Sequence, residues 1–174
     1  MPVALIIGRF QPFHCGHLLL VEKAAEEAEL VVIGIGSSQY SNTEKNPFTA
    51  DERRKMIESS VPKKIKYKIF DIPDVGNNKI WVEHVEKIVP KFDVVYTNGE
   101  LERRLFKEAG YRVHATGLFN RDKYAGTEVR RRIIAGEEWH SLVPAGTLKI
   151  MNEIRGEERI KSLDQSYKPS STNK

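Results

Sequence analysis

Two histidines three residues apart, His14 and His17, stand in the run Gly8-Arg9-Phe10-Gln11-Pro12-Phe13-His14-Cys15-Gly16-His17. Imidazole donors, a backbone open to close approach at Gly16 and the fork-shaped cation of Arg9 are groups that hold a phosphate. If a helix starts here, its unpaired amides and the positive end of its dipole add to that pull. The spacing of three then sets both imidazoles on one face of the first turn, within reach of a single triphosphate. The same residue types can also simply cap and pack a helix start. Paired histidines suggest a metal as well, but no third ligand stands at a suggestive spacing, so no protein metal site is expected. Cys15 has no evident base partner and reads as a bystander.

A second cluster, Ala125-Gly126-Thr127-Glu128-Val129-Arg130-Arg131-Arg132, reads as a helix start capped by Thr127 with three arginines in the next turn. Cations there oppose the helix dipole at a cost of a few tenths of a kcal/mol each, an arrangement more natural with an anion bound. Arg130 is the candidate to meet that anion. Arg131 and Arg132 point elsewhere on the helix, and a solvated basic face is the alternative reading for them. In Asn46-Pro47-Phe48-Thr49-Ala50-Asp51-Glu52-Arg53, Arg53 comes late enough in the turn to reach into a cleft, which makes it a candidate for a substrate phosphate.

The elements that must position these groups follow from periodicity. Val3–Ile7, closed by Gly8, and Leu30–Ile35, closed by Gly36, are continuous apolar runs, as expected of parallel strands covered on both faces. Between them Leu18, Leu19, Val21, Ala24, Ala25 and Ala28 give a helix its apolar face, completing a βαβ unit. Thr49 and Glu52 form a reciprocal capping box that starts a second helix, running to about Ser60. Further strands are expected at Ile65–Ile72, Asp93–Thr97 and Tyr111–His114, alternating with helices at Ile80–Val89 and Glu100–Glu108. Helices at Glu128–Ala135, Thr147–Ile154 and Glu158–Leu163 finish the chain. The fold class is α/β, a doubly wound parallel sheet of about five strands with a helical C-terminal part from about residue 127. One domain over 1–163 is expected, with a polar, flexible tail over 164–174. The first cluster then lies at the carboxyl end of the first strand, where open α/β sheets bind ligands.

Composition narrows the class. With 174 residues, 40% hydrophobic and 30% charged, the chain has room for one soluble domain burying roughly 70% of its unfolded surface. No apolar run is long enough to span a membrane, and the N-terminus reads as a strand rather than a signal peptide, which with the single cysteine points to the cytoplasm. A net charge of +4 allows an anionic ligand. It does not imply nucleic acid, because 28 basic residues are interleaved with 24 acidic ones.

The string His14-Cys15-Gly16-His17 resembles the HxGH signature of the nucleotidylyltransferase superfamily, and its longer form GRFQPFHxGH is similar to the archaeal-type nicotinamide mononucleotide (NMN) adenylyltransferases. Thr127 followed three residues later by Arg130 resembles the second superfamily motif, with Gly126-Thr127 where Ser-Thr is often found, a departure at home in the archaeal-type branch. Together the resemblance spans about Val3 to Leu163 and implies a Rossmann-like fold. The implied reaction is NMN plus ATP giving NAD and pyrophosphate. His14, His17, Arg9 and Arg130 would be the catalytic groups, and Gly8, Phe10, Gly16, Asn120, Arg121 and Thr127 would hold ATP. Ser37, Gln39, Arg53, Asn78 and Trp81 would hold NMN, with Trp81 stacked on the nicotinamide ring and Asn78 on its carboxamide. Trp139 reads as packing. Mg²⁺ would be bound through the ATP phosphates, and the branch implies a homo-oligomer, commonly a hexamer, with no nucleic acid or membrane partner. Two other readings stay open: transfer to another phosphorylated acceptor, and a nucleotide sensor without turnover. Preference between NMN and nicotinic acid mononucleotide is also open.

Overall fold

In a computed structural model, which describes residues 2–115 and 124–165, the apolar runs become the centre of a parallel sheet. Its strands are β1 Val3–Gly8, β2 Leu30–Gly36, β3 Tyr67–Ile72, β4 Val94–Tyr96 and β5 Arg112–His114, in the order β3-β2-β1-β4-β5, all parallel. The helices are α1 Cys15–Glu27, α2 Ala50–Ser60, α3 Asn78–Ile88, α4 Glu100–Glu108, α5 Gly126–Ala135, α6 Ala145–Ile154 and α7 Gly156–Leu163, with a 3-10 turn at His140–Leu142.

Period-two alternation divides the strands between two cores. Ala4, Ile6, Val31, Ile33, Ile35, Val94 and Tyr96 face one side, where α1, α2 and the C-terminal helices bring Leu20, Val21, Met56, Ile57, Val129, Ile133, Ile150 and Ile160. Leu5, Ile7, Val32, Ile72 and Val95 face the other, covered by Val85 and Val89 from α3 and its C-terminus and Phe106 from α4. Both faces are dry, so the strands carry apolar residues at consecutive positions. Trp139, 3% exposed, packs in the first core, in keeping with its reading as a packing residue.

The C-terminal helices dock by close approach and by charge. A Cβ at Gly146 would sit 2.1 Å from the Ser59 carbonyl oxygen, so α6 lies against the backbone of α2 where only a glycine fits. Glu52 caps Thr49 as the sequence predicts, the Thr49 hydroxyl accepting from the Glu52 amide at 3.0 Å and the Glu52 carboxylate from the Thr49 amide at 2.9 Å. The same carboxylate pairs with Arg159 of α7 at 2.8 Å, which holds it below the usual carboxylate range despite partial burial. Among the described residues, no helix is long and apolar enough to cross a membrane.

Several boundaries differ from expectation for local reasons. β3 starts at Tyr67 because Ile65 closes a turn onto Pro62. Helix α3 starts two residues early because the Asn77 side chain accepts from the Lys79 amide and caps it. Thr127 does not cap α5: the cap position is Ala125, without a side-chain bond, and Thr127 lies inside the first turn.

Candidate active site

Consecutive strands β1, β2 and β3 step outward in one direction, and β4 then crosses to the other side of β1. This reversal opens a crevice at the carboxyl ends of β1 and β4, the position where open α/β sheets take ligands. A cleft of about 760 Å³ lies there, with Gly8 and Arg9 after β1, Thr97, Asn98 and Gly99 after β4, and His14, Gly16 and His17 at the start of α1. Thr127 closes it from α5.

The two histidines form a capping box with each other. His14 is the N-cap of α1, its Nδ1 accepting from the Gly16 and His17 amides at 3.1 and 3.4 Å, and His17 Nδ1 accepts from the His14 amide at 3.1 Å. The rings stack 3.6 Å apart. Burial, with the Arg130 charge adding, pushes the His14 pKa down to about 3, and burial beside His14 pushes His17 well below its ordinary value. Both rings are therefore neutral near pH 7. A neutral imidazole whose Nδ1 accepts carries its proton on Nε2. Among the described residues neither Nε2 has a hydrogen-bond partner, so the pair offers two N–H donors at the cleft wall. Gly16 is held to glycine by space, since a Cβ there would meet the His14 ring and Tyr124 Cβ at 3.0 Å.

Charge comes from Arg9, exposed on the cleft, and from Arg130, half-buried beside it. Arg130 Nη1 donates to the Gln11 carbonyl at 2.6 Å, fixing the guanidinium, and burial next to Arg9 lowers its pKa to about 10, still protonated at neutrality. Gln11 itself is buried and clamps the backbone of Phe48 through both ends of its amide, at 2.9 and 3.0 Å. Arg131 and Arg132 are committed elsewhere: both bind Glu128 at 2.9 Å, and Arg131 also binds Glu137. Those pairs hold Glu128 down to about 2 and leave neither arginine in need of a ligand.

Burial commits the side chains of two expected site residues to the protein itself, Arg53 first. It is 0% exposed, and its donors go to five backbone carbonyls: Nε to Thr49 at 3.2 Å, Nη1 to Arg9 and Gly36 at 2.9 Å each, Nη2 to Ser37 at 3.3 Å and Tyr40 at 3.2 Å. It is a strut joining the β1 and β2 loops to the start of α2. The Phe10 side chain, 1% exposed, packs edge-on against His17 at 4.7 Å, with Phe13 stacked on the same imidazole at 5.5 Å. These rings fix the orientation of His17.

Asn78 and Trp81 line a second cavity of about 290 Å³ beside the first, together with Asp74, Asn77, Leu101 and Glu102. Ser37 and Gln39 line neither cavity. They hold the Asp74 loop in place, the Ser37 hydroxyl donating to Asp74 Oδ2 at 2.8 Å and Gln39 bonding the Asp74 backbone through both ends of its amide. Asn120 and Arg121 lie outside the described residues. Sequence reading missed Thr97, Asn98, Gly99 and Glu102; the polar stretch directly after an apolar strand was the available signal.

The sequence profile of a family described as cytidylyltransferase-like matches residues 5–132. The nicotinamide-nucleotide adenylyltransferase of Methanococcus aeolicus is 47% identical over 162 residues, covering 92% of this chain and 94% of its own length. Its counterpart in Thermoplasma acidophilum is 48% identical, covering 92% and 90%. A crystal structure of a bifunctional NMN adenylyltransferase/ADP ribose pyrophosphatase from Francisella tularensis, complexed with AMP and a manganese ion, has a TM-score of 0.73 at 23% identity. It is a likeness of fold, covering 94% of this chain and 52% of that one, so this chain spans about half its length.

Proposed function

The chain belongs to the cytidylyltransferase-like family, in the branch of the nicotinamide-nucleotide adenylyltransferases, and from that membership we infer that it transfers AMP from ATP to NMN, forming NAD and pyrophosphate. In our reading the 760 Å³ cleft takes ATP and the adjoining 290 Å³ cavity takes the nicotinamide end of NMN. An oxygen of the NMN 5′-phosphate attacks the α-phosphorus of ATP in line, the bond from that phosphorus to the bridging oxygen breaks, and pyrophosphate leaves. A phosphate monoester loses its second proton near pH ~6, so the nucleophile is already an anion and needs no general base. What remains for the protein is positioning and charge stabilisation.

The observation that carries this reading is the stacked pair of histidines at the helix N-terminus, each with its Nδ1 accepting a backbone amide, which leaves Nε2–H as the donor. They would donate to the oxygens of the transferring and leaving phosphates, with the α1 amides, Gly8, Gly16 and Thr127 around them. Arg9 and Arg130 would neutralise the growing charge of the pyrophosphate. Trp81 would carry the cationic pyridine ring on its indole face, with Asn78 beside its carboxamide. Among the described residues there is no group of three or more His, Cys, Asp or Glu suited to hold a metal ion. In this reading Mg²⁺ would be held by the triphosphate, where it would supply further charge neutralisation. A cytoplasmic homo-oligomer remains our expectation, checked by fractionation and size-exclusion chromatography.

Purified protein given NMN, ATP and Mg²⁺ is expected to release pyrophosphate and form NAD. His17→Ala is expected to lower kcat by about 10²–10³, the loss typical of one preorganised donor to a developing oxyanion. ATP binding without pyrophosphate release from wild type would refute the assignment as an enzyme, and near-normal turnover by the variant would remove His17 from the site.

A further inference from the structure

The smaller cavity has an unusual electrostatic lining. Among the described residues its charged groups are Asp74 and Glu102, both acidic, and no Lys, Arg or His lines it. Asp74 is fixed in place through Ser37 and Gln39. Glu102 is different. It lies in the first turn of α4, is half-buried, and is the only described residue that lines both this cavity and the large cleft. Among the described residues, none forms a hydrogen bond or ion pair with its carboxylate oxygens. A group passing from the Trp81 cavity towards His14 and His17 passes this carboxylate.

We propose that Glu102 sets the acceptor specificity of the site, admitting a pyridine mononucleotide whose ring bears a neutral carboxamide and rejecting one whose ring bears a carboxylate. The inference rests on the reading that seats the pyridine ring against Trp81. Both acceptors carry the same ring cation and the same 5′-phosphate, so neither Trp81 nor the arginines distinguish them. The difference is confined to the substituent on the ring. A carboxamide brings N–H donors that the unpartnered Glu102 oxygens accept. A carboxylate brings no donor and a like charge, into a cavity whose described lining residues include no cation to offset it. Specificity then comes from a repulsive element as much as from an attractive one. A site whose acceptor group is left without a donor discriminates strongly between close analogues.

The test is steady-state kinetics of wild type, Glu102→Gln and Trp81→Phe with NMN and with nicotinic acid mononucleotide, at saturating ATP and Mg²⁺. Thermal melts confirm that each variant is folded. Wild type is expected to favour the amide by roughly 100-fold or more in kcat/KM, the scale of a like-charge clash in a poorly solvated site. Glu102→Gln removes the charge at nearly constant shape. It should narrow that ratio by about tenfold or more, by improving use of the acid and by raising KM for the amide. Trp81→Phe keeps the edge-on packing against Phe106 but offers a weaker face, and should raise KM for both acceptors with the ratio little changed. A wild-type enzyme that uses both acceptors equally, or a ratio that Glu102→Gln leaves unchanged, overturns the proposal. If Trp81→Phe still raises both KM values, the failure is confined to Glu102; if it leaves both unchanged, the ring placement fails with it.

Discussion

Replacing Arg53 by lysine separates a strut from a substrate ligand. The guanidinium donates to five backbone carbonyls in three segments: Arg9 after β1, Gly36 at the end of β2 with Ser37 and Tyr40 beyond it, and Thr49 at the cap of α2. Its side chain is fully buried. A lysine keeps the charge but has only three donors, so at least two of these carbonyls lose their partner. An unsatisfied buried polar group costs about 1–3 kcal/mol, which puts the loss at roughly 2–6 kcal/mol. For a domain of this size each kcal/mol moves Tm by about 2–4 °C, so Arg53→Lys should melt at least roughly 4 °C below wild type. The assay is thermal and urea denaturation without ligands, paired with KM for ATP and NMN. A phosphate ligand would give the opposite split, with Tm held or raised and KM for one substrate sharply increased. That result would refute the account of Arg53 as a structural tie.

Two further outcomes follow from the geometry. The depressed pKa values of His14 and His17 mean that the unfolded chain, with histidines near 6.5, binds protons that the native state does not. Their stabilisation is fully present above pH ~6.5 and is lost as pH falls, for His14 down to about 3, with a slope of up to roughly 1.4 kcal/mol per pH unit for each ring; urea midpoints that stay constant from pH 7 to pH 5 would contradict it. Gly146→Ala would place a methyl 2.1 Å from the Ser59 carbonyl oxygen and force α6 off α2. It should cost about 1–3 kcal/mol as overpacking, read as a lower urea midpoint, and an unchanged midpoint would show that the two helices are not held at that approach.

Legibility in the sequence followed physical range. The runs at Val3–Ile7 and Leu30–Ile35 declared a two-faced parallel sheet because consecutive apolar residues have no other use in a strand, and the capping box at Thr49 and Glu52 is a contact three residues long. Sheet order was not legible, because the crossing of β4 to the far side of β1 is decided by how the helices pack. Thr97, Asn98, Gly99 and Glu102 reach the cleft only through that crossing. The backbone ties of Arg53 were hidden for a related reason. Its position in α2 gave its reach, but five carbonyls from three segments converge on it only in the folded chain. Thr127 was taken for a cap on residue type, whereas the backbone of Ala125 already occupies the extended conformation at the helix entry.

At the start of α1, capping and chemistry are one arrangement. A helix N-cap needs an acceptor, and a serine or aspartate would satisfy it. Here the acceptor is Nδ1 of His14, matched by Nδ1 of His17 reaching back to the His14 amide. Each ring thereby commits one nitrogen to the helix and fixes its proton on the other. Protonation of either ring would turn Nδ1 from acceptor to donor and break the cap, so the burial that depresses both pKa values also preserves the helix start. The same constraint preserves the two Nε2–H donors at the cleft. A substrate phosphate then meets neutral donors that require no proton uptake and no reorientation, while permanent charge is left to Arg9 and Arg130. The capping reading of the HxGH string and the phosphate-binding reading were therefore never exclusive: the cap is what aims the donors.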